Sequence, residues 1–217
     1  MIKADLHIHT AYSPDSITSL QQVIAHCREA ESNCVAVTDH NTILGALKLR
    51  EMAEFTVIVG EEIMTRSGEI VGYFLNEEIP AHFPAEETIR RIKDQGGLVC
   101  IPHPFDRLRR STLRRKTLET LLPHIDIIEV FNSRVLLSQD NLSARRFASA
   151  NELLSSAGSD AHIASEIGGA YVEVPEFNDA EEFRLALAQS VLLCRKASLW
   201  VHTWGMWTRL VKRVKGQ

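Results

Sequence analysis

The sequence predicts an α/β fold: one domain folded as a small, distorted (β/α)7 barrel, followed by a C-terminal amphipathic helix. Two observations carry the barrel. Short β-branched runs alternate with helical apolar stripes about seven times along the 217 residues, which argues for a mainly parallel sheet with crossover helices. Polar residues also recur just after the apolar runs, at the carboxyl ends of the expected strands, where β/α barrels build their sites.

The elements follow in order. The first strand is the run Asp5 to Thr10, DLHIHT, with its preceding residues. Alternation along a strand sends Ala4, Leu6 and Ile8 one way and Asp5, His7 and His9 the other. Thr18 to Gln21 reads as a capping box, followed by the stripe Leu20, Val23, Ile24 and Cys27. A strand at 34–38 ends in Thr38-Asp39-His40, a helix covers 42–54, and the run 56–60 is a strand. Ser67-Gly68 reads as a turn between 63–66 and 70–75. A polar helix at 84–95 stops at Gly96-Gly97. Strands at 98–101, 125–131 and 153–157 come next, with a helix at 138–151 between the last two. A strand at 171–174, a helix capped by Asp179 and a strand at 191–194 close a domain spanning 1–197.

Composition narrows the class. A net charge of −4 offers no global basicity for nucleic acid. The four cysteines (Cys27, Cys34, Cys100, Cys194) lie far apart. Cys34, Cys100 and Cys194 sit in apolar runs, as free thiols packing like small hydrophobes. No secretory leader or apolar run of membrane-spanning length is recognisable, so the expectation is a cytoplasmic protein without a transmembrane segment.

Two imidazoles at i and i+2 on a rigid strand can converge on one cation, although a pair of solvated edge-strand histidines has the same pattern. The rest of the chain decides. His7, His9, Asp15, His40, Glu62, His103, Asp160 and His162 stand at corresponding points of one fold. They form a nitrogen and oxygen donor set without thiolate, suited to zinc, manganese or iron. Eight donors exceed one tetrahedral site, so two or three divalent ions are implied.

These motifs, DLHIHT, Thr38-Asp39-His40, Gly60-Glu61-Glu62-Ile63, His103-Pro104 and Gly158-Ser159-Asp160-Ala161-His162, resemble the polymerase and histidinol phosphatase (PHP) family from residue 1 to about 195. The resemblance implies a distorted seven-stranded barrel, a two- or three-metal cluster and hydrolysis of phosphate esters. It further implies that His7, His9, Glu62 and Asp160 hold one ion, with Glu62 bridging to another, and that Asp15, His40, His103 and His162 complete the cluster. One departure stands out. Many relatives carry a histidine where this chain has Glu69, in Glu69-Ile70-Val71-Gly72-Tyr73. Glu69 is then either an oxygen ligand or a solvated turn residue beside a weaker position.

Three divalent ions would outweigh the carboxylates of Asp15, Glu62, Glu69 and Asp160 by two positive charges, which favours an ester accumulating negative charge as its bond breaks. In-line attack by a metal-activated hydroxide is expected. The loop after His103 holds six basic residues in the ten positions 107–116, read as a rim for a phosphorylated substrate or as a solvated charge run. Arg107 and Arg134 are the expected phosphate-binding residues. The expected substrate is a small nucleotide-like or sugar-like phosphate. An oligonucleotide exonuclease is the second reading, although no interleaved aromatics accompany the basic loop. A non-catalytic scaffold module is the third, and the complete donor set speaks against it. In the tail, 198–217, Trp200, Trp204, Trp207, Val211 and Val214 recur at helical spacing. They form a stripe for docking on the barrel, for an oligomer contact or for a membrane surface.

Overall fold

The computed structural model describes residues 1–194. The domain boundary at 197, the tail and its tryptophan stripe lie outside the described residues. Among the described residues, nine strands and six α-helices follow in the order β1 (Ile2–Ile8), α1 (Leu20–Glu29), β2 (Cys34–Val37), α2 (Leu44–Met52), β3 (Thr56–Thr65), β4 (Gly68–Tyr73), α3 (Ala85–Asp94), β5 (Leu98–Ile101), α4 (Arg115–Leu121), β6 (Ile127–Asn132), α5 (Ser138–Ala150), β7 (Leu154–Gly158), β8 (Ala170–Val174), α6 (Ala180–Leu187) and β9 (Val191–Cys194).

The sheet order is β7-β6-β5-β4-β3-β2-β1-β8-β9. Strands β1, β2 and β3 run parallel, as do β5, β6 and β7. The Asp160 N–H donates to the His7 carbonyl at 2.8 Å and the His9 N–H to the Ala161 carbonyl at 2.9 Å. These bonds bring the far edge back to β1, so β1 to β7 form a nearly closed, distorted barrel. The sheet is less uniformly parallel than repeated βα units predict. Runs 56–60 and 63–66 are one continuous strand, β3, which turns at Arg66-Ser67 into antiparallel β4. Strands β8 and β9 are antiparallel additions on the outer edge of β1.

Two apolar clusters hold this shape. One fills the space between strands and helices, with Val23 and Cys27 of α1, Leu49 of α2, Ile89 and Ile92 of α3 and Leu118 of α4 against Val35, Val59, Ile63 and Ile101. The other lines the opposite faces of the strands (Ala4, Leu6, Ala36, Ile58, Val71, Cys100) and reaches Phe183 of α6.

Local signals differ from expectation in four places. The cap of α1 is Ser19 with Gln22, one residue later than expected, because Gln22 is the residue three positions on that reaches back to the Ser19 N–H. Helix α4 occupies the end of the basic run, so Arg115 pairs with Glu119 on that helix at 2.7 Å. Cys194 is exposed, unlike Cys27, Cys34 and Cys100. In β1 the alternation breaks: the register shifts between Asp5 and Ile8, so Leu6 joins one cluster and Ile8 the other. Asp5 turns away from the two histidines and accepts from the Ser159 and Gly168 N–H groups at 2.9 and 2.8 Å.

Candidate metal centre

The carboxyl ends of the barrel strands converge on one buried cluster. His7 comes from the end of β1 and His9 directly follows that strand, Glu62 comes from β3, and Glu69 from the amino end of the antiparallel β4. Asp15, His40, His103, Asp160 and His162 come from the segments after β1, β2, β5 and β7. Pairing of Met64 with Glu69 and of Val71 with Glu62 places both glutamates on one face, since residues paired across strands share a side.

Three sets of donors each lie within 4.8 Å of one another: His9, Asp15, His40 and His162; His7, His9 and Glu62; and His40, Glu62 and Glu69. The Nε2 atoms of His7 and His9 are 3.1 Å apart. Glu62 Oε2 stands 3.4 Å from each of them and 3.3 Å from His40 Nδ1. Asp160 Oδ1 is 3.3 Å from His9 Nε2. Asp15 Oδ2 lies 3.2 Å from His40 Nε2 and 3.3 Å from His162 Nε2. His103 Nε2 is 3.0 Å from Glu62 Oε1 and 3.7 Å from Glu69 Oε2. The structure thus brings all nine expected metal-binding residues together.

The buried atoms test whether cations fit. Among the described residues, Glu62 Oε2, Glu69 Oε2, Asp160 Oδ1 and His103 Nδ1 are buried without a hydrogen-bond partner. Burying such groups unpaired costs several kcal/mol, and the convergence of the three carboxylate oxygens with imidazole nitrogens is what divalent ions would satisfy. Proton affinities point the same way. Burial disfavours charge on His7, yet the carboxylates of Glu129, Glu62 and Asp160 outweigh it and hold its pKa well above the ordinary value. Burial opposes ionisation of Glu62, but His7 and His40 hold that carboxyl well below its usual range. His40 is pushed up to about 10, with Glu62 and Asp15 overcoming burial. The pocket favours positive charge at each of these points.

Residues outside the sequence-derived set support the centre. Glu129 of β6 accepts from His7 Nδ1 at 3.0 Å, from the His103 N–H at 2.7 Å and from Asn132 Nδ2 at 3.0 Å. Asn132 Nδ2 also donates to Asp160 Oδ2 at 3.2 Å. Asp39 takes the Thr10 N–H and hydroxyl, each at 2.6 Å, tying the loop after β1 to the end of β2. Gly158 lets β7 pass His7, since a Cβ there would overlap the His7 Cβ. The signal for Glu129 was present: a glutamate within the apolar run 127–131, buried among Ile127, Ile128 and Val130.

A cavity of about 1030 Å³ opens over the cluster, walled by Asp15, His40, Glu69, His162 and by Met64, Leu108, Arg109, Arg110, Arg134 and Leu136, among others. Arg107 is not on this wall. Its Nε donates to Asp140 at 2.8 Å and its side chain is 65% exposed, so the structure does not bring it to the cluster. Arg109 takes that place, reaching Asp160 Oδ2 at 2.5 Å. Arg134 lies on the wall and pairs with Glu166 at 3.2 Å.

Fold and site together define a distorted β/α barrel whose strand ends carry an imidazole and carboxylate centre suited to several cations. Family models agree: a PHP domain matches residues 5–78 and a PHP-associated segment matches 138–190. The chain is 39% identical over 181 residues to the uncharacterized protein MJ0417 of Methanocaldococcus jannaschii, covering 82% of this chain and 72% of that one. To the uncharacterized protein MJ1587 of the same organism it is 41% identical over 145 residues, covering 61% and 82%. The protein belongs to the PHP family. Its fold is shared by a two-domain protein of Bacteroides vulgatus containing a predicted PHP-like metal-dependent phosphoesterase, with a TM-score of 0.73 at 19% identity. That match covers 89% of this chain, which spans 65% of the two-domain protein's length. Among the described residues no helix is long and apolar enough to cross a membrane.

Proposed function

We propose that this protein hydrolyses a phosphate ester on a small nucleotide-like or sugar-like substrate, with two or three divalent ions held at the carboxyl end of the barrel. One observation carries the reading: three buried carboxylate oxygens without a hydrogen-bond partner among the described residues and three overlapping donor sets lie beneath a cavity walled by arginines. His7, His9, Glu62 and Asp160 would hold one ion, and His40, Glu69 and the remaining imidazoles the others, with Glu62 common to two sets. Divalent ions at such a centre lower the pKa of water towards ~7 and draw charge from phosphoryl oxygens.

The chain's own groups orient the ester. Arg109 and Arg134 present guanidinium groups to the cavity and recognise phosphoryl oxygens in a planar, forked geometry. Arg110 lines the same wall and has no carboxylate partner among the described residues, which leaves its charge for the substrate. Leu108 and Leu136, 61% and 40% exposed, give the leaving group an apolar wall. A volume of about 1030 Å³ is at the upper end of small-molecule sites, roughly 300–1,000 Å³.

Elemental analysis of the purified protein with a phosphate-release screen tests this reading. Two or three bound divalent ions, and release from nucleotides or sugar phosphates that chelation abolishes, are expected. Release from short oligonucleotides alone would move the assignment to a nuclease. A protein that binds no divalent ion and releases no phosphate refutes the proposal.

A further inference from the structure

The three donor sets differ in chemistry. His9, Asp15, His40 and His162 offer three imidazoles and one carboxylate, whereas His40, Glu62 and Glu69 offer two carboxylates and one imidazole. Glu69 makes the difference. Its Oε1 lies 3.8 Å from His40 Nδ1 and its Oε2 lies 3.7 Å from His103 Nε2. Its side chain is 4% exposed, and Oε2 is buried without a hydrogen-bond partner among the described residues. Arg109, the nearby cation on the cavity wall, donates to Asp160 instead. Two buried carboxylates on one face, each with an oxygen that has no hydrogen-bond partner among the described residues, offer a cation a pair of oxygen donors beside the single imidazole of His40.

Oxygen donors favour hard ions, while imidazoles suit zinc and its neighbours, and the general affinity order places manganese(II) far below zinc unless the ligands offset it. We infer that Glu69 biases the His40–Glu62–Glu69 position towards manganese(II), so the centre takes ions of two characters: a zinc-like ion at the imidazole-rich set and a manganese-like ion at the carboxylate-rich one. The inference rests on the metal-dependent reading above and deepens it by assigning the ions.

The test reads metal content. Wild type, Glu69→His and Glu69→Asp are stripped with a chelator, dialysed against manganese in excess over zinc, and assayed for both metals per folded chain, with circular dichroism as the check on folding. Wild type and Glu69→Asp retain manganese. Glu69→His exchanges it for zinc, and the manganese-to-zinc ratio falls at least ~10-fold with total metal unchanged. If Glu69→His does not fold, Glu69→Gln takes its place: removing the carboxylate's charge lowers retained manganese and leaves zinc at the wild-type level. A ratio in the folded variant equal to that of wild type overturns the inference while leaving the metal-dependent reading intact. A wild-type chain that takes up neither metal overturns that reading itself.

Discussion

Glu129→Gln is the sharpest test of how the centre is held, because the carboxylate does three jobs that an amide cannot do together. Glu129 Oε1 accepts from His7 Nδ1 at 3.0 Å, which leaves Nε2 to face Glu62 and Asp160. Its Oε2 accepts both the His103 N–H and Asn132 Nδ2. A glutamine that keeps its oxygen towards His7 turns an NH2 onto two donors. The flipped amide satisfies those donors but forces a proton onto His7 Nε2, the nitrogen aimed at the cluster. In the first case two charge-assisted bonds of about 1.5–3 kcal/mol each are lost, and at about 2–4 °C per kcal/mol for a chain of this size the melting temperature falls by roughly 6 °C or more. In the second, metal affinity falls about 10–100-fold, the usual cost of disturbing a histidine's supporting partner. Calorimetric metal titration and thermal melts, with and without chelator, separate the two. A variant with wild-type melting temperature and wild-type metal affinity would show that Glu129 does not orient His7.

Glu62→Gln removes the charge shared by two donor sets and is expected to lose metal and at least ~10²-fold of activity, read by elemental analysis and phosphate release. Arg109→Ala removes the cation beside Asp160, so kcat/KM falls about 10–100-fold while metal content holds; unchanged efficiency would place the phosphate elsewhere on the wall. Arg107→Ala is expected to leave kcat/KM within about 3-fold of wild type, since its guanidinium pairs with Asp140 away from the cavity. Glu61→Gln tests stability against pH. Burial pushes the Glu61 carboxyl up to about 8 from 4.5, so the folded state holds an extra proton between those values and stability drains away as pH rises through that window. The melting advantage of the glutamine variant should therefore grow from pH 5 to pH 9, and parallel melting curves would contradict the assignment.

Sequence made His40, Glu62, His103 and Asp160 legible because each is a polar residue just past an apolar run, at a place where one type of fold collects its side chains, while His7 and His9 stood out by sharing one strand face. Strand type was harder to read. Apolar runs do not reveal whether a strand is parallel, so the continuous β3 and the antiparallel β4 looked like fragments around a turn. The bulge in β1 was equally hidden, because strict alternation assigned Asp5 to the histidine face and only the closing contacts with Ser159 and Gly168 pull it away. Choosing among arginines required three dimensions. Arg107 and Arg109 are two residues apart in one loop, and Asp140 on α5 takes the first while Asp160 takes the second. Glu69 was ambiguous beside a turn glycine and became interpretable once pairing with Met64 placed it on the Glu62 face.

The backbone shows what holding this centre requires. Asn41, His103 and Asp160 have φ of 56°, 32° and 54°, a region that side-chain-bearing residues rarely occupy. All three follow strands β2, β5 and β7 at the site. Such conformations cost of order 1–3 kcal/mol each and persist only where the surroundings over-determine them. Here the surroundings do: the Asp160 N–H is fixed on the His7 carbonyl, the His103 N–H on Glu129, and Asn41 spans the Glu62 carbonyl and the Met64 N–H. Each tie joins the end of one strand to a neighbouring strand, so distorting one donor side chain would displace another. Strained backbone and unpaired carboxylates both raise the energy of the metal-free fold, and ions that bind only the folded chain lower it by mass action. The apolar clusters on both faces of the sheet therefore have to hold the donor side chains in register without help from a cation.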